Sequence, residues 1–308
     1  MDFLRFLSPF ALIGLLAPAG RAVEVTVTPQ QPRLGDTLVV TIQAEPGETV
    51  TEPLQVSWAE KPYPVFPLAA GRWQVLLPTT PLETPGKRLL KVEGGATPRN
   101  LAVWVANRAY PVQRIWLGTA ASSLEPTDLE LQRVKAFKAL VSPERLWQLP
   151  FRVPNTGPMT TGFGVRRYYN GEFAQDYYHR GVDYGGGQGS PVIAPAAGRV
   201  ALVGRVSEGF RLHGNTVGLD HGQGVTSIFL HLSRISVQEG QRVTSGQVIG
   251  AVGATGVATG PHLHWGLYVH GLSVDPMPWL RGLSAGRIPV SLAEALFQLS
   301  NPGVKRSQ

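Results

Sequence analysis

The sequence predicts a mainly β chain in which two β domains are joined by a short helical connector. The 308 residues include 36 glycines and 26 prolines, which favours many turns and short strands over long helices. Short runs of alternating apolar and polar residues fill the first third of the chain, and from Gly157 onward small residues mark a turn every few positions. The length is that of about two domains.

Residues 1–22 are predicted to be a signal peptide. Arg5 precedes an apolar run over residues 6–19, and small residues follow at Gly20 and Ala22. The run is too short to span a bilayer comfortably, so the mature chain is expected to have no stable membrane span. An uncleaved anchor is the alternative. The chain has no cysteine, which excludes a lipid-modified start, disulfides and thiolate ligands.

Residues 23–106 are predicted to form an immunoglobulin-like β-sandwich of about seven strands. Trp58, Tyr63 and Trp73 are expected in its core. The segment contains no histidine, so a spacer or recognition role is expected rather than catalysis. The clearest alternating runs are residues 23–27, 37–42, 73–76, 88–92 and 101–105.

Residues 107–156 are predicted to be a connector with one helix of about 14 residues. Thr127 and Glu130 have the spacing of a capping box, and Val134 and Phe137 follow at helical spacing. The pair Ser142-Pro143 is predicted to end the helix.

Residues 157–281 are predicted to form a second, antiparallel β domain. The stretches 189–200 and 237–250 are loosely repeated halves with small residues at their turns. Such halves are typical of lipoyl-like barrel-sandwich folds, in which glycine allows tight bends. Residues 282–308 are predicted to be a tail with a short helix from Ser291.

Four histidines and one aspartate in this second domain are the candidate site. His179 and Asp183 stand four residues apart, His231 ends an apolar run, and His262 and His264 are two apart, so that on an extended strand they share a face. A catalytic zinc typically takes three such ligands and leaves a position open for water. Five candidates leave two groups for proton transfer or oxyanion binding. None of the seven histidines precedes a glutamate, so the HExxH zinc motif is absent.

The order HxxxD, then an apolar strand ending in His-Leu, then Thr-Gly-x-x-Thr-Gly-Pro-His-Leu-His resembles the M23 family of LytM and lysostaphin-like zinc metallopeptidases, which act on bacterial cell-wall peptides. The resemblance covers about residues 157–281. It implies one Zn²⁺ per chain on His179, Asp183 and His264, and catalytic roles for His231 and His262. The residues alone leave open which member of the His262/His264 pair holds the metal. The resemblance also implies the LytM-type antiparallel core with a groove across one sheet.

The other polar residues of this domain are given structural roles. His221, at a turn, is expected to be structural, and His213 and His270 are expected to be solvated surface residues. If a tyrosine assists the zinc, Tyr178 and Tyr184 are nearest in sequence.

The sequence therefore predicts an exported zinc metalloendopeptidase, in the periplasm or at the cell wall or extracellular, that hydrolyses peptidoglycan stem peptides or cross-bridges. We expect a monomer whose residues 150–290 alone are active. A net charge of +7 favours binding to anionic polymers of the cell envelope. Nucleic acid is not expected as a partner, because the sequence has no run of basic residues and no basic stripe along a helix. The alternative is a non-catalytic LytM-like activator of a cell-wall amidase, of the kind that arises in the family when ligands are lost.

Overall fold

The computed structural model describes residues 23–45, 50, 53–95, 97–118 and 124–283. Within these residues the chain is mainly β, as the sequence predicts. The predicted signal peptide at residues 1–22 and the tail helix predicted from Ser291 lie outside the described residues. No helix in the described part is long and apolar enough to cross a membrane.

The N-terminal region consists of two antiparallel four-stranded sheets. Its strands are β1 (Glu24–Thr28), β2 (Thr37–Gln43), β3 (Gln55–Trp58), β4 (Lys61–Tyr63), β5 (Phe66–Ala69), β6 (Arg72–Pro78), β7 (Gly86–Glu93) and β8 (Arg99–Val105). One sheet has the order β1-β2-β6-β5 and the other β4-β3-β7-β8. Eight strands are therefore present in this region instead of about seven, and its relation to immunoglobulin domains stays a prediction.

Side chains from both sheets form one apolar core. Strand β2 alternates, so that Leu38, Val40 and Ile42 are fully buried, whereas Val39, Thr41 and Gln43 are half-buried. Trp58 and Trp73 also lie in this core, as expected. Each fully buried side chain of this size contributes roughly 1.5–3 kcal/mol, which is what holds the two sheets together.

The connector forms strand β9 (Val112–Ile115) and helix α1 (Asp128–Lys138). Thr127 caps the helix, because its Oγ1 accepts a hydrogen bond from the Glu130 N–H at 3.1 Å. The helix has 11 residues instead of the predicted 14. Beyond the helix, the Ser142 carbonyl accepts a hydrogen bond from the Gln223 N–H at 2.6 Å, which ties the connector to the C-terminal region.

The C-terminal region is built on an eight-stranded sheet. Its elements are β10 (Met159–Thr161), β11 (Arg166–Tyr169), β12 (Glu172–Phe173), β13 (Val182–Tyr184), β14 (Pro191–Ile193), β15 (Gly198–Gly204), a 3₁₀ turn (Val206–Glu208), β16 (Asn215–Gly222), β17 (Val225–Leu232), β18 (Arg234–Ile235), β19 (Arg242–Val243), β20 (Val248–Ala251), β21 (Leu263–Val269), β22 (Leu272–Val274) and α2 (Met277–Leu280). The sheet has the order β10-β13-β21-β17-β16-β15-β19, and β22 pairs with β21. Two three-stranded sheets, β14-β20-β18 and β12-β11-β9, flank it.

The central strands of this sheet are buried on both faces. On β21 the side chains of Leu263, Trp265 and Leu267 enter the main core. The opposite face packs against α1, whose Val134 and Phe137 contact a second apolar cluster. The face that carries α1 is also the face that carries His264, because alternate residues of a strand point to opposite sides.

The N-terminal region, the connector and the C-terminal region are in direct contact with one another. The Tyr110 hydroxyl donates to the Leu34 carbonyl at 2.6 Å, and the Asp275 N–H donates to the Gly35 carbonyl at 2.8 Å. Arg108 and Asp275 form an ion pair at 2.8 Å. Leu76 of β6 is buried in the main core of the C-terminal region.

Candidate active site

The strand pairing of the C-terminal sheet brings three predicted metal ligands together. Asp183 on β13 lies opposite His264 on β21, and His179 precedes β13 by one turn of loop. The Asp183 Oδ1 atom is 3.0 Å from His179 Nε2 and 2.9 Å from His264 Nδ1. The two imidazole nitrogens are 3.0 Å apart. All three side chains are buried.

The hydrogen bonds around this cluster show that it fits a cation. The His179 Nδ1 atom lies 2.8 Å from the Gly162 carbonyl. A carbonyl only accepts, so Nδ1 carries the proton and Nε2 presents a lone pair to the cluster. Lone-pair atoms and a carboxylate oxygen that converge within about 3 Å repel each other unless a cation lies among them. Two imidazoles and one carboxylate are a donor set typical of divalent metal sites.

The protonation states of the cluster suit metal binding. Burial by itself raises the pKa of Asp183, but the two neighbouring imidazoles, His179 and His264, outweigh burial and hold the pKa of that carboxyl well below its usual range. Burial lowers the pKa of His264 to about 4. At neutral pH the carboxylate is therefore ionised and the His264 ring is neutral.

The two remaining histidines form a pair beside the cluster. The ring centroids of His231 and His262 are 4.8 Å apart, and the His231 ring is 6.4 Å from that of His264. The Nδ1 atoms of His231 and His262 donate to the carbonyls of Thr255 and Gly260 at 2.9 and 2.8 Å. Each Nε2 atom is thus left with a lone pair that can accept a proton. Burial, with His262 and His264 nearby, lowers the pKa of His231 to about 3.

The backbone fixes both rings of this pair. His231 has a left-handed φ of 63°, and its N–H donates to the His213 carbonyl at 3.1 Å. The His262 N–H donates to the Gly253 carbonyl at 3.1 Å. A Cβ at Gly253 would lie 2.3 Å from the Ser233 nitrogen, so this close approach requires glycine.

An open groove of about 700 Å³ contains all five predicted site residues. Its walls include Gln113, Ile115 and Leu124 of the connector. The connector is therefore part of the groove, which the sequence analysis did not predict.

Arg167 is a site residue that the sequence analysis missed. Its Nη2 atom is 3.6 Å from Asp183 Oδ2, on the side of the carboxylate away from the histidines. Its other nitrogens donate to Gln113 at 3.2 Å and to the hydroxyls of Tyr169 and Tyr177 at 3.2 and 3.4 Å. Arg167 thereby orients Asp183 toward the cluster.

Tyr178 and Tyr184, the tyrosines nearest to the candidate ligands in sequence, do not line the groove. Tyr178 is buried and its hydroxyl bonds to Ser273 at 2.6 Å, and Tyr184 is also buried. Tyr169 and Tyr177 line the groove instead. The prediction used distance along the sequence, but alternation along the chain turns Tyr178 into the core and Tyr177 outward.

Glu130 of α1 bonds to the loop that carries His213, whereas the sequence predicts its side chain in a capping box. The carboxylate is fully buried and accepts from the N–H groups of Arg211, Leu212 and His213 at 3.0, 3.1 and 2.7 Å. It also bonds to His213 Nδ1 at 2.7 Å. The expectation that His213 is a solvated surface residue is therefore wrong, because this bond ties it to α1.

The two other histidines are not part of the cluster. His221 is buried, as a structural residue should be, with Nδ1 bonded to the Ala197 carbonyl and Nε2 to Ser227. His270 is half-buried and its ring lies 5.5 Å from that of Tyr63 in the N-terminal region. The surface position expected for His270 is wrong, because the sandwich covers it.

We expect Gly181→Ala to destabilise the site. A Cβ at Gly181 would lie 2.3 Å from the Trp265 carbonyl oxygen and 2.8 Å from His264 Nε2, so β13 and β21 would have to separate. Such overpacking typically costs about 1–3 kcal/mol, which a lowered melting temperature would reveal. Gly187→Ala is the matched control, because a Cβ there meets nothing within 4 Å. Equal melting temperatures for the two variants would contradict the expectation.

Comparisons with known proteins agree with this geometry. Residues 177–276 match the model of peptidase family M23. The DD-carboxypeptidase/endopeptidase Mpg of Neisseria meningitidis is 43% identical over 99 residues, 32% of this chain and 22% of that protein. The peptidoglycan DD-endopeptidase ShyA of Vibrio cholerae is 40% identical over 99 residues, again 32% of this chain and 22% of that protein. The chain thus spans about a fifth of the length of these curated relatives.

A solved structure extends the likeness over most of the chain. The crystal structure of a Pseudomonas aeruginosa protein assigned to peptidase M23 has a TM-score of 0.60 and 29% identity. The match covers 82% of this chain and 95% of that one. Residues 177–276, which match the family model, include the cluster of His179, Asp183 and His264 and the neighbouring His231 and His262. Residues 177–276 therefore form a domain of peptidase family M23.

Proposed function

We propose that the chain is an exported zinc endopeptidase that hydrolyses peptide bonds in the stem peptides or cross-bridges of peptidoglycan. The observation that carries the proposal is the convergence of three acceptor atoms beside two histidines with free Nε2 atoms, all in one open groove. Mpg and ShyA, which are named as endopeptidases, support the reaction class, and the name of ShyA supports peptidoglycan as the substrate.

His179, Asp183 and His264 would hold the zinc. When bound, zinc supplies Lewis-acid chemistry, which polarises a carbonyl and makes water more acidic. Arg167 keeps Asp183 in place, and the Gly162 carbonyl keeps His179 in the tautomer that binds metal.

His231 and His262 would move the proton and stabilise the oxyanion. A neutral imidazole with Nδ1 held by a carbonyl can take a proton on Nε2 and then donate a hydrogen bond from it. Both residues have this arrangement, so either can serve as the base. The ring that has taken the proton on Nε2 would donate from it to the developing oxyanion and then pass the proton to the leaving nitrogen, and the other ring could donate only if it too were protonated on Nε2.

Export is proposed from the predicted signal peptide at residues 1–22 and from the similarity to ShyA, which is named as a peptidoglycan endopeptidase. The alternative of a non-catalytic amidase activator is not favoured, because all five positions are filled and lie together in an open groove.

We expect the purified chain to cleave cross-linked peptidoglycan, and a chelator to stop the reaction until zinc is restored. Mass analysis of muropeptides before and after incubation measures the cleavage and identifies the bond. Asp183→Ala serves as the inactive control on the same preparation. Undiminished cleavage by protein shown to be free of zinc would contradict the proposal.

A further inference from the structure

Two cations line the groove away from the histidine cluster. Lys138 is the last residue of α1, and Arg180 directly follows His179. Both belong to the wall of the groove that contains the cluster. We propose that Lys138 and Arg180 form a subsite that binds a free carboxylate of the peptide substrate, an inference that rests on the proposed function.

The Lys138 ammonium is held in place by an aromatic ring. Its Nζ atom lies 4.7 Å from the centroid of the Tyr268 ring, and Tyr268 is buried on β21. The lysine itself is half-buried. Burial and the neighbouring Arg180 lower the pKa of Lys138 to about 8. Keeping a partly buried cation at this position costs free energy, because the charge loses contact with water. A bound anion would offset that cost.

Arg180 is positioned in a similar way. Its guanidinium carbon lies 5.3 Å from the Tyr177 ring centroid and 5.5 Å from that of Tyr178, while the side chain remains exposed. Among the described residues no carboxylate forms an ion pair with Lys138 or Arg180, whereas Arg167 in the same groove faces Asp183 at 3.6 Å. Two cations without a carboxylate partner are suited to bind a carboxylate of a ligand. Lysine binds a carboxylate as a point charge, and arginine binds it through two parallel hydrogen bonds.

The strand geometry sets the distance between this subsite and the cluster. Tyr268 and His264 lie on the same face of β21, four residues apart, which is about 13 Å at roughly 3.3 Å per residue. Gly266 lies between them, and a Cβ there would meet the Tyr268 ring at 3.1 Å, so the ring leans along the strand toward the cluster. A carboxylate within about four residues of the scissile bond would reach the two cations.

The test uses a cross-linked muropeptide dimer and the same dimer after its carboxylates are converted to amides. For the unmodified chain we expect amidation to lower kcat/KM by roughly 10- to 100-fold, the usual scale for a hydrogen bond to a charged group, mainly by raising KM. In the Lys138→Met variant, the KM for the acid dimer should rise until it is about equal to the KM for the amide dimer. The kcat of this variant should be retained. Lys138→Arg should keep the preference because it keeps the charge.

Lys135→Met is the matched control, because Lys135 is an exposed lysine one turn earlier on the same helix. Melting temperatures of the variants check folding, and Lys138→Met is expected to melt at least as high as the unmodified chain. Equal kcat/KM for both dimers, or a preference that survives Lys138→Met, would overturn the subsite.

Binding of the two dimers is also measured calorimetrically in chelator, where no bond is cleaved. The subsite is supported, even if hydrolysis is never seen, when the unmodified chain binds the acid dimer more tightly than the amide dimer and Lys138→Met does not. Equal binding of the two dimers by the unmodified chain overturns it. Failure to cleave either dimer in the presence of zinc counts against the proposed function alone.

Discussion

Replacing His179, Asp183 or His264 by alanine is expected to remove bound zinc and peptidase activity together. Each change deletes one of the three convergent atoms that would bind the metal, so that only two ligand atoms remain. Metal affinity depends on the number and charge state of these donors, so stoichiometric binding should be lost. Metal analysis of the folded, dialysed variants measures the zinc content, and muropeptide release measures the activity.

Replacing His231 or His262 by alanine is expected to have a different result. Zinc should remain near one per chain, because neither ring contributes to the three-atom cluster, while activity should fall by about 100-fold or more. His270→Ala is the control, since that histidine lies against the N-terminal region and should change neither quantity. Loss of zinc in His262→Ala with retention in His264→Ala would reverse the assignment within the pair.

The five candidate residues could be found from the sequence because their spacing is local. His262 directly precedes β21 and His264 is its second residue, and His179 and Asp183 are only four residues apart. Pairing across strands is not local. The placement of Asp183 opposite His264, 81 residues away, depends on the register of β13 against β21, which no short motif specifies.

The same distinction explains the predictions that failed. The pattern from Thr127 to Glu130 predicts the helix start, and Thr127 does cap α1. A capping box would use the Glu130 side chain within the first turn of that helix. In the structure that side chain bonds to residues 211–213, more than 80 positions away, because four donors from a folded loop satisfy a buried carboxylate better than one N–H group does.

This contact makes α1 a positioning element for the pair of His231 and His262. Glu130 fixes the loop at His213, and the His213 carbonyl accepts from the N–H of His231, which holds a left-handed backbone conformation. Burial by itself raises the pKa of Glu130, but its hydrogen bonds with His213 and Leu212 leave it below the ordinary value. Its stabilising effect is therefore complete at neutral pH and is lost as the pH falls through that lowered pKa.

We expect Glu130→Gln to lower both stability and kcat while leaving zinc content unchanged. A neutral amide cannot accept from all the donors that surround the carboxylate, and each buried donor left unpaired costs about 1–3 kcal/mol. A shift of His231 on the order of 1 Å would lower kcat by up to about 100-fold. Glu144→Gln is the matched control in the same connector, because Glu144 pairs with Arg242 on the exposed surface.

Truncation gives an independent test of the same contact. The sequence alone predicts that residues 150–290 are sufficient for activity, but this fragment lacks both Glu130 and Gln113, which contact the site. With these two residues absent, the fragment should show a much lower kcat than the full chain on a soluble cross-linked peptide, at equal zinc content. If the fragment matched the full chain in kcat and melting temperature, the loop at His213 would hold His231 without α1, and the role assigned to Glu130 would be refuted.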